Sequence, residues 1–241
     1  MDYVNCRLCP RQCGVDRTAG QQGYCGCPDT ALVAKTMLHH WEEPVLAGSG
    51  GSGAIFFGGC RSCQNRAISA RPVGQPADAA QVRQMMEDLI ARGAENIDLV
   101  TPTQFLPTVL EALEEKLPVP VIYNCGGYET LSTVQALRGK VDIFLPDLKY
   151  ADDALALSLS GVSDYFATAT AAITQMVRQC PVAFVDVAAN HHRNDAPHFV
   201  SGSGKQGKET IISRGGSRSG ERRIFYRTAT GNELFLLLTL N

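Results

Sequence analysis

Cysteines are the residues of this chain with the clearest capacity for chemistry. The 241 residues include nine of them, five within the first 27 residues, two as the close pair Cys60 and Cys63, and Cys125 and Cys180 alone. The opening residues MDYVNCRLCPRQC lack the pattern of a secretory signal peptide, so we expect a cytoplasmic location. In that reducing compartment cysteines more often bind metals or react as thiols than form disulfides.

The N-terminal cysteines have the spacing of a metal site. Cys6, Cys9 and Cys13 are followed by Cys25 on a segment rich in glycine and proline. Four thiolates predict either a closed zinc site or an iron–sulfur cluster, and the spacing does not choose between them. A module this short cannot build a core of its own, which favours metal over reduced, unmetallated cysteines in a loop.

Beyond this module, strand and helix patterns alternate. The apolar runs AIFF, NIDLV, VPVIYN and VDIFLPDLKY predict strands. Helical periodicity predicts helices over 77–92, in FLPTVLEALEEKL, in ETLSTVQALRG and over about 164–178. Strands that alternate with helices through short connections indicate parallel βαβ units. The four units found in the sequence are too few for a closed eight-stranded barrel, so we expect an open or partial one.

Candidate binding residues follow these strands, where ligands of partial parallel barrels bind. Cys60 and Cys63 follow the first strand, Asn124 and Gly126 the third, and Lys149 the fourth. A glycine here lets a cofactor approach the backbone closely, and a lysine can pair with a carboxylate. The alternatives are two buried thiols, an ordinary strand-to-helix turn and a solvated ion pair at the rim.

Several stretches in one order carry a family resemblance: CRLCPRQCGVDRTAGQQGYCG, HHWEEP, GSGAIFF, CQNRAIS, LVTPTQ, YNCGGYE and LPDLKY. From Cys6 to about Gln179 the chain resembles radical S-adenosylmethionine (SAM) proteins, in the branch similar to pyruvate formate-lyase activating enzymes. The resemblance implies an α/β fold: a partial (incomplete) parallel (β/α) barrel of radical SAM type, here with an N-terminal Cys-rich module and an irregular C-terminal tail.

The resemblance also implies cofactors and partners. Three cysteines after the first strand would bind a [4Fe–4S] cluster and leave one iron open for SAM. Reductive cleavage of SAM gives a 5′-deoxyadenosyl radical that abstracts hydrogen, so a protein substrate and an electron donor are the implied partners. By position, Asn124, Gly126 and Lys149 would contact SAM, and Thr101 and Thr103 stand where related enzymes hold its amino group.

The cluster loop departs from the family pattern. Related proteins have Cys-x-x-x-Cys-x-x-Cys, whereas this chain has GGCRSCQN, with only Cys60 and Cys63. Two thiolates do not hold three irons of one cluster in the usual way, so the sequence predicts a weak or absent SAM cluster. The alternative function is a catalytically inactive zinc or iron–sulfur module left from a damaged or misread family member.

The composition excludes two classes of binding partner, and the C-terminal segment sets the last domain boundary. The net charge of −2 gives no positive field for nucleic acid or an anionic membrane, and no apolar run can span a bilayer. GSGKQGKE is a chance near-match to a phosphate-binding loop because it lacks the flanking strand and the hydroxyl residue. We divide the chain into the module at 1–45, the partial barrel at 46–180 and a disordered or frameshifted tail at 181–241.

Overall fold

The structure, a computed structural model, describes residues 1–40, 46, 49–59 and 72–180. Beyond these it describes the backbone of three short strands. The described strands are β1 Ala31–His39, β2 Ser52–Phe57, β3 Gln75–Ala77, β4 Asn96–Val100, β5 Val121–Cys125, β6 Ile143–Pro146, β7 His198–Phe199, β8 Glu221–Arg227 and β9 Glu233–Thr239. The described helices are α1 Ala79–Ala91, α2 Leu106–Ala112 (preceded by the 3₁₀ turn Thr103–Phe105), α3 Leu131–Ala136, α4 Asp153–Ser160 and α5 Tyr165–Gln179.

One sheet organises the described core. Its strand order is β3-β1-β2-β4-β5-β6-β7, and the strands do not close into a barrel. From β2 to β7 every neighbouring pair is parallel, whereas β1 pairs antiparallel with both β2 and β3. The register places Ile55, Leu99, Tyr123 and Phe144 side by side on four parallel strands, and all four are buried. The predicted α/β class with a mostly parallel sheet is confirmed.

Helix α1 shows how the sequence sets these elements. The backbone N–H of Gln81 donates to Asp78 Oδ1 (2.8 Å), and the Asp78 N–H donates to Gln81 Oε1 (2.9 Å), which forms a capping box. Val82, Met86 and Leu89 recur at helical spacing and are buried. Apolar periodicity and a cap therefore agree, and the predicted helix over 77–92 is found.

Strand β1 was not predicted, because the first 45 residues show little periodicity. Its Thr36 stands opposite Ile55 of β2. The main sheet therefore includes a strand from the N-terminal module, across the boundary drawn at residue 45.

The tail contains strands that the sequence analysis did not predict. β8 and β9 pair antiparallel, with Ile224 opposite Leu236, and β7 adds two residues to the edge of β6. The runs ERRIFYR and ELFLLLT are rich in β-branched, aromatic and leucine residues, which suits paired strands. The hinted strand PVAFVDVA and the glycine-rich GSGKQGKE lie outside the described residues.

No helix within the described part of the chain combines the length and the apolar character needed to cross a bilayer.

Candidate functional site

The carboxyl ends of the parallel strands form one edge of the sheet. Gln104 Nε2, beyond β4, donates to the carbonyl oxygen of Gly58, beyond β2 (2.8 Å). The backbone N–H of Thr101 donates to the carbonyl oxygen of Asn124 on β5 (2.8 Å). These bonds fix the strand ends side by side, as the parallel topology predicts.

Thr101 has a strained backbone at this edge. Its φ of 53° lies in the left-handed region, which a β-branched residue rarely adopts. Its hydroxyl donates to the carbonyl oxygen of Phe57 (3.3 Å), and its own carbonyl oxygen accepts from Gln104 Nε2 (2.8 Å). Strain of roughly 1–3 kcal/mol is typical of positions held by their surroundings at functional sites.

Gly126 and Lys149, both predicted site residues, lie together beside Tyr165. The Tyr165 hydroxyl accepts from the Lys149 backbone N–H (2.7 Å) and lies 2.8 Å from the Gly126 carbonyl oxygen. Lys149 Nζ forms an ion pair with Asp147 Oδ2 (2.6 Å). Glycine is required at Gly127, where φ is +74° and a Cβ atom would stand 2.5 Å from the Asp147 carbonyl oxygen. The ends of β5 and β6 thus form a backbone cradle with a lysine on its rim.

Asn124, the remaining predicted cofactor contact, is half-buried on β5. Its Nδ2 donates to Asp98 Oδ2 on β4 (3.3 Å). Asp98 is fully buried, and it was not singled out from the sequence because it lies within the apolar run NIDLV. Asn124 therefore belongs to the described edge, with its amide next to a buried carboxyl.

Glu129 is a buried carboxyl at this edge that the sequence analysis did not select. Its Oε1 accepts from the Thr103 hydroxyl (2.6 Å), which also lies 3.0 Å from the Tyr123 hydroxyl. Burial raises the pKa of Glu129 to about 8, and the Thr103 hydroxyl and the nearby Cys125 thiol oppose this by less. Its Oε2 is buried and makes no hydrogen bond.

The N-terminal module covers this edge from α2 to the end of α4. Three contacts mark its path: the hydroxyls of Tyr3 and Thr108 share a hydrogen bond (2.8 Å), the Thr133 hydroxyl donates to the Leu8 carbonyl oxygen (2.6 Å), and Arg11 Nη1 donates to the Gly161 carbonyl oxygen (2.7 Å). The module is therefore bound to the same strand-end region that carries the candidate site.

Arg17 joins the module to the turn after β4. Its side chain is buried, and it donates to the carbonyl oxygens of Gln104 (2.6 Å) and Pro28. The guanidinium also lies 4.5 Å from the centre of the Tyr3 ring, and its Nη1 is 3.8 Å from Cys6 Sγ. Arginine suits this position because one planar group can donate in several directions and stack on a ring.

The module cysteines differ in acidity. A hydrogen bond from the Cys27 thiol, helped by the positive charge of Arg17, lowers the pKa of Cys25 to about 6 against the effect of burial. Burial raises the pKa of Cys9 to about 12. Cys13 Sγ accepts from the Tyr24 backbone N–H (3.3 Å).

The predicted metal ligands divide into two groups. Cys6, Cys9, Cys13 and Cys25 all lie in the described part of the chain, where no group of three or more His, Cys, Asp or Glu side chains is arranged to hold a metal ion. Cys60 and Cys63 lie outside the described residues.

Cys27 lies beside Gly59, which directly precedes Cys60 in the sequence. It is fully buried, and a Cβ atom at Gly59 would stand 2.2 Å from its sulfur. Sequence spacing placed Cys27 among the module cysteines without showing this contact, because only the fold brings the module to the end of β2.

Comparison with known proteins gives a distant relative. No family model matches the chain. A protein of Methanocaldococcus jannaschii, named Uncharacterized protein MJ0674, is 29% identical over 181 residues, which cover 68% of this chain and 51% of the relative. The chain thus spans about half the length of this curated relative. The relative's name assigns it no activity.

Proposed function

We propose that this chain is a radical SAM iron–sulfur protein similar to pyruvate formate-lyase activating enzymes, with a partial (β/α) barrel of that type. One observation supports this most directly. Thr101, Asn124, Gly126 and Lys149, selected from the sequence motifs, all lie at the carboxyl edge of one open, mostly parallel sheet. The cysteine pair follows β2, whose end belongs to the same edge.

The described residues suit SAM as a ligand. The backbone at Gly126 and Gly127 is free of side chains, Lys149 can pair with the ligand's carboxylate, and Glu129 has an unsatisfied buried oxygen. If a reduced cluster were held beside it, SAM would supply a radical for hydrogen abstraction from a protein substrate, with an electron donor as second partner. The chain's own contribution is to orient the ligand and, with the N-terminal module, to exclude water from it.

The cysteine pair fits a [4Fe–4S] cluster less well than the strand-end residues fit SAM. Cys60 and Cys63 supply two thiolates, and three are needed to hold a cluster that leaves one iron open. The described residues contain no arranged set of metal ligands that would complete it. Cys60 and Cys63 with the described residues therefore do not supply the complete ligand set of such a cluster.

This shortage favours a second candidate function. The chain would then be a catalytically inactive metal-binding module that holds zinc or an iron–sulfur cluster through Cys6, Cys9, Cys13 and Cys25. The intact spacing of these four cysteines, beside a shortened loop at Cys60 and Cys63, is the observation in its favour.

Metal analysis and SAM cleavage separate the two functions. Protein reconstituted anaerobically with iron and sulfide should show broad visible absorbance and release 5′-deoxyadenosine from SAM under reductant. Cys63→Ser should abolish this cleavage, because a hydroxyl is a poor iron ligand. The matched control is Cys180→Ser, a buried cysteine beyond α5, which should cleave SAM like the unaltered chain. A colourless zinc protein that cleaves no SAM would instead establish the metal-binding module.

A further inference from the structure

The Glu129 carboxyl is satisfied on one side only. Thr103 has a single hydroxyl hydrogen and donates it to Glu129 Oε1, so the hydrogen bond between Thr103 and Tyr123 must be donated by Tyr123. The hydrogen bonds therefore run from the Tyr123 hydroxyl to the Thr103 hydroxyl and from there to Glu129 Oε1. Oε2 is buried without a hydrogen bond, and an unsatisfied buried polar atom costs about 1–3 kcal/mol.

Among the described residues, no basic side chain compensates this carboxyl. The groups that act on its ionisation, apart from burial, are the Thr103 hydroxyl and the Cys125 thiol. Of the other titratable groups around it, Tyr123 on β5 is kept uncharged at neutral pH, because burial raises its pKa. Lys149, a cation beyond the end of β6, is paired with Asp147.

We propose that Glu129 binds the positively charged part of the ligand, an ammonium or a sulfonium group. This inference rests on the proposed function and deepens it, since SAM carries both groups. The described residues leave this buried carboxyl without a cation, and a cationic ligand that reaches it would satisfy it. Because the pKa of Glu129 is about 8, the carboxyl gives up its proton when the ligand binds at neutral pH, and the resulting ion pair lies in low-dielectric surroundings. The carboxyl then contributes to affinity and to discrimination between charged and uncharged ligands.

Three ligands test this charge recognition. SAM carries an ammonium and a sulfonium, S-adenosylhomocysteine carries only the ammonium, and 5′-methylthioadenosine carries neither. Equilibrium dialysis of the full chain, reconstituted anaerobically with iron and sulfide, gives Kd for each ligand. We expect Glu129→Gln to raise Kd for SAM at least tenfold while Kd for 5′-methylthioadenosine changes less than twofold.

The intermediate ligand identifies which charge is bound. If Glu129→Gln weakens the binding of S-adenosylhomocysteine as much as that of SAM, the ammonium is the bound group. If it weakens the binding of SAM but not of S-adenosylhomocysteine, the sulfonium is the bound group. Either result supports the proposal. Equal weakening of all three ligands, or no weakening of SAM, overturns it and leaves the proposed function intact. A chain that binds none of the three refutes the proposed function, and the inference with it.

Two variants control for general damage to the site. Glu111→Gln removes an exposed carboxyl from α2 and should leave all three Kd values unchanged. Glu129→Asp keeps the charge on a shorter side chain and should recover part of the preference for SAM over 5′-methylthioadenosine. Circular dichroism shows that each variant is folded before its Kd is compared.

Discussion

The buried Glu129 carboxyl makes stability depend on pH. Burial raises its pKa to about 8, whereas an unfolded glutamate has a pKa near 4.3. Between these values the unfolded chain loses the proton and the folded chain keeps it, so stability falls as pH rises through this range. Glu129→Gln should reduce the difference in unfolding free energy between pH 5 and pH 8 by an amount on the order of a few kcal/mol. Urea unfolding at the two pH values measures this difference.

The exposed carboxyl of Glu111 provides the comparison. Glu111→Gln should leave the difference in unfolding free energy between the two pH values as it is in the unaltered chain. A pH dependence that persists unchanged in Glu129→Gln would show that Glu129 ionises in the folded protein much as it does in the unfolded one.

Only some of the residues at the candidate site could be predicted from the sequence. Gly126 and Lys149 were selected by their place after strands, and the structure puts them side by side. Glu129 was passed over because nothing local distinguishes it from a solvated turn residue, and its hydrogen-bond partner Thr103 comes from the turn after β4, distant in sequence. Asp98 was hidden in the same way inside an apolar run. Burial of a polar side chain is set by tertiary packing, which a strand pattern does not report.

At the scale of elements, Tyr165 of α5 connects the ends of two strands. Its hydroxyl bonds the Lys149 backbone N–H and lies within hydrogen-bond distance of the carbonyl oxygens of Gly126 and Asp147. Tyr165→Phe should lower the free energy of unfolding by roughly 1–3 kcal/mol, because buried backbone groups lose their partner. Chemical denaturation measures this directly.

Tyr128→Phe is the matched control for that prediction. The Tyr128 hydroxyl donates to Asp164 Oδ1 (2.7 Å) at an exposed position, where water replaces the lost bond. Its effect on stability should stay below about 0.5 kcal/mol. A Tyr165→Phe variant as stable as Tyr128→Phe would mean that the hydroxyl does not hold the two strand ends together.

The elements that the sequence missed have physical reasons. Helix α4, with the sequence DALALSLS, alternates leucine with the small residues alanine and serine, a period of two that is typical of a strand, and its Leu155, Leu157 and Leu159 are exposed. Its caps decide the structure: Asp152 accepts from the N–H groups of the first turn, and Gly161 ends the helix with φ of 64°. The parallel strands were predictable because continuous apolar runs between amphipathic helices have few other solutions.

At the scale of the whole molecule, Arg17 fastens the N-terminal module to the sheet. Replacing it by methionine keeps much of the side-chain volume but removes the donors to Gln104 and Pro28. Relief of a buried charge offsets part of this loss, so we expect a net destabilisation of roughly 2–4 kcal/mol. Hydrogen exchange should increase at module amides such as that of Gly14, which is bonded to Cys6.

Two further variants define the role of Arg17. Arg17→Lys should recover little of the stability, because the lysine ammonium is a compact point charge without the planar fork that lets Arg17 reach Gln104 and Pro28 from two nitrogens while it lies over the Tyr3 ring. Arg7→Met alters an exposed arginine of the same module and should leave exchange at Gly14 unchanged. Equal exchange in Arg17→Met and Arg7→Met would show that other contacts suffice to hold the module.

The extent of the hydrophobic core gives the last prediction. Among the described residues the main core cluster reaches from Leu8 to Cys180, and α5 contributes Ala169, Ile173 and Met176 to it. A chain truncated after Cys180 should therefore unfold in one cooperative transition, within about 1 kcal/mol of the full chain, since the described part of the main sheet loses no more than the two-residue pairing of β7 with β6.

Truncation after Ser160 provides the opposing case. It removes α5 with its buried side chains, and burying each of these contributes about 1–3 kcal/mol, so the shorter chain should have no cooperative transition in urea. Both truncated chains are compared with the full chain by circular dichroism and tryptophan fluorescence. If the chain ending at Cys180 also lacks a cooperative transition while the full chain keeps one, residues beyond 180 are part of the folding unit, and the tail is then neither disordered nor foreign to the fold.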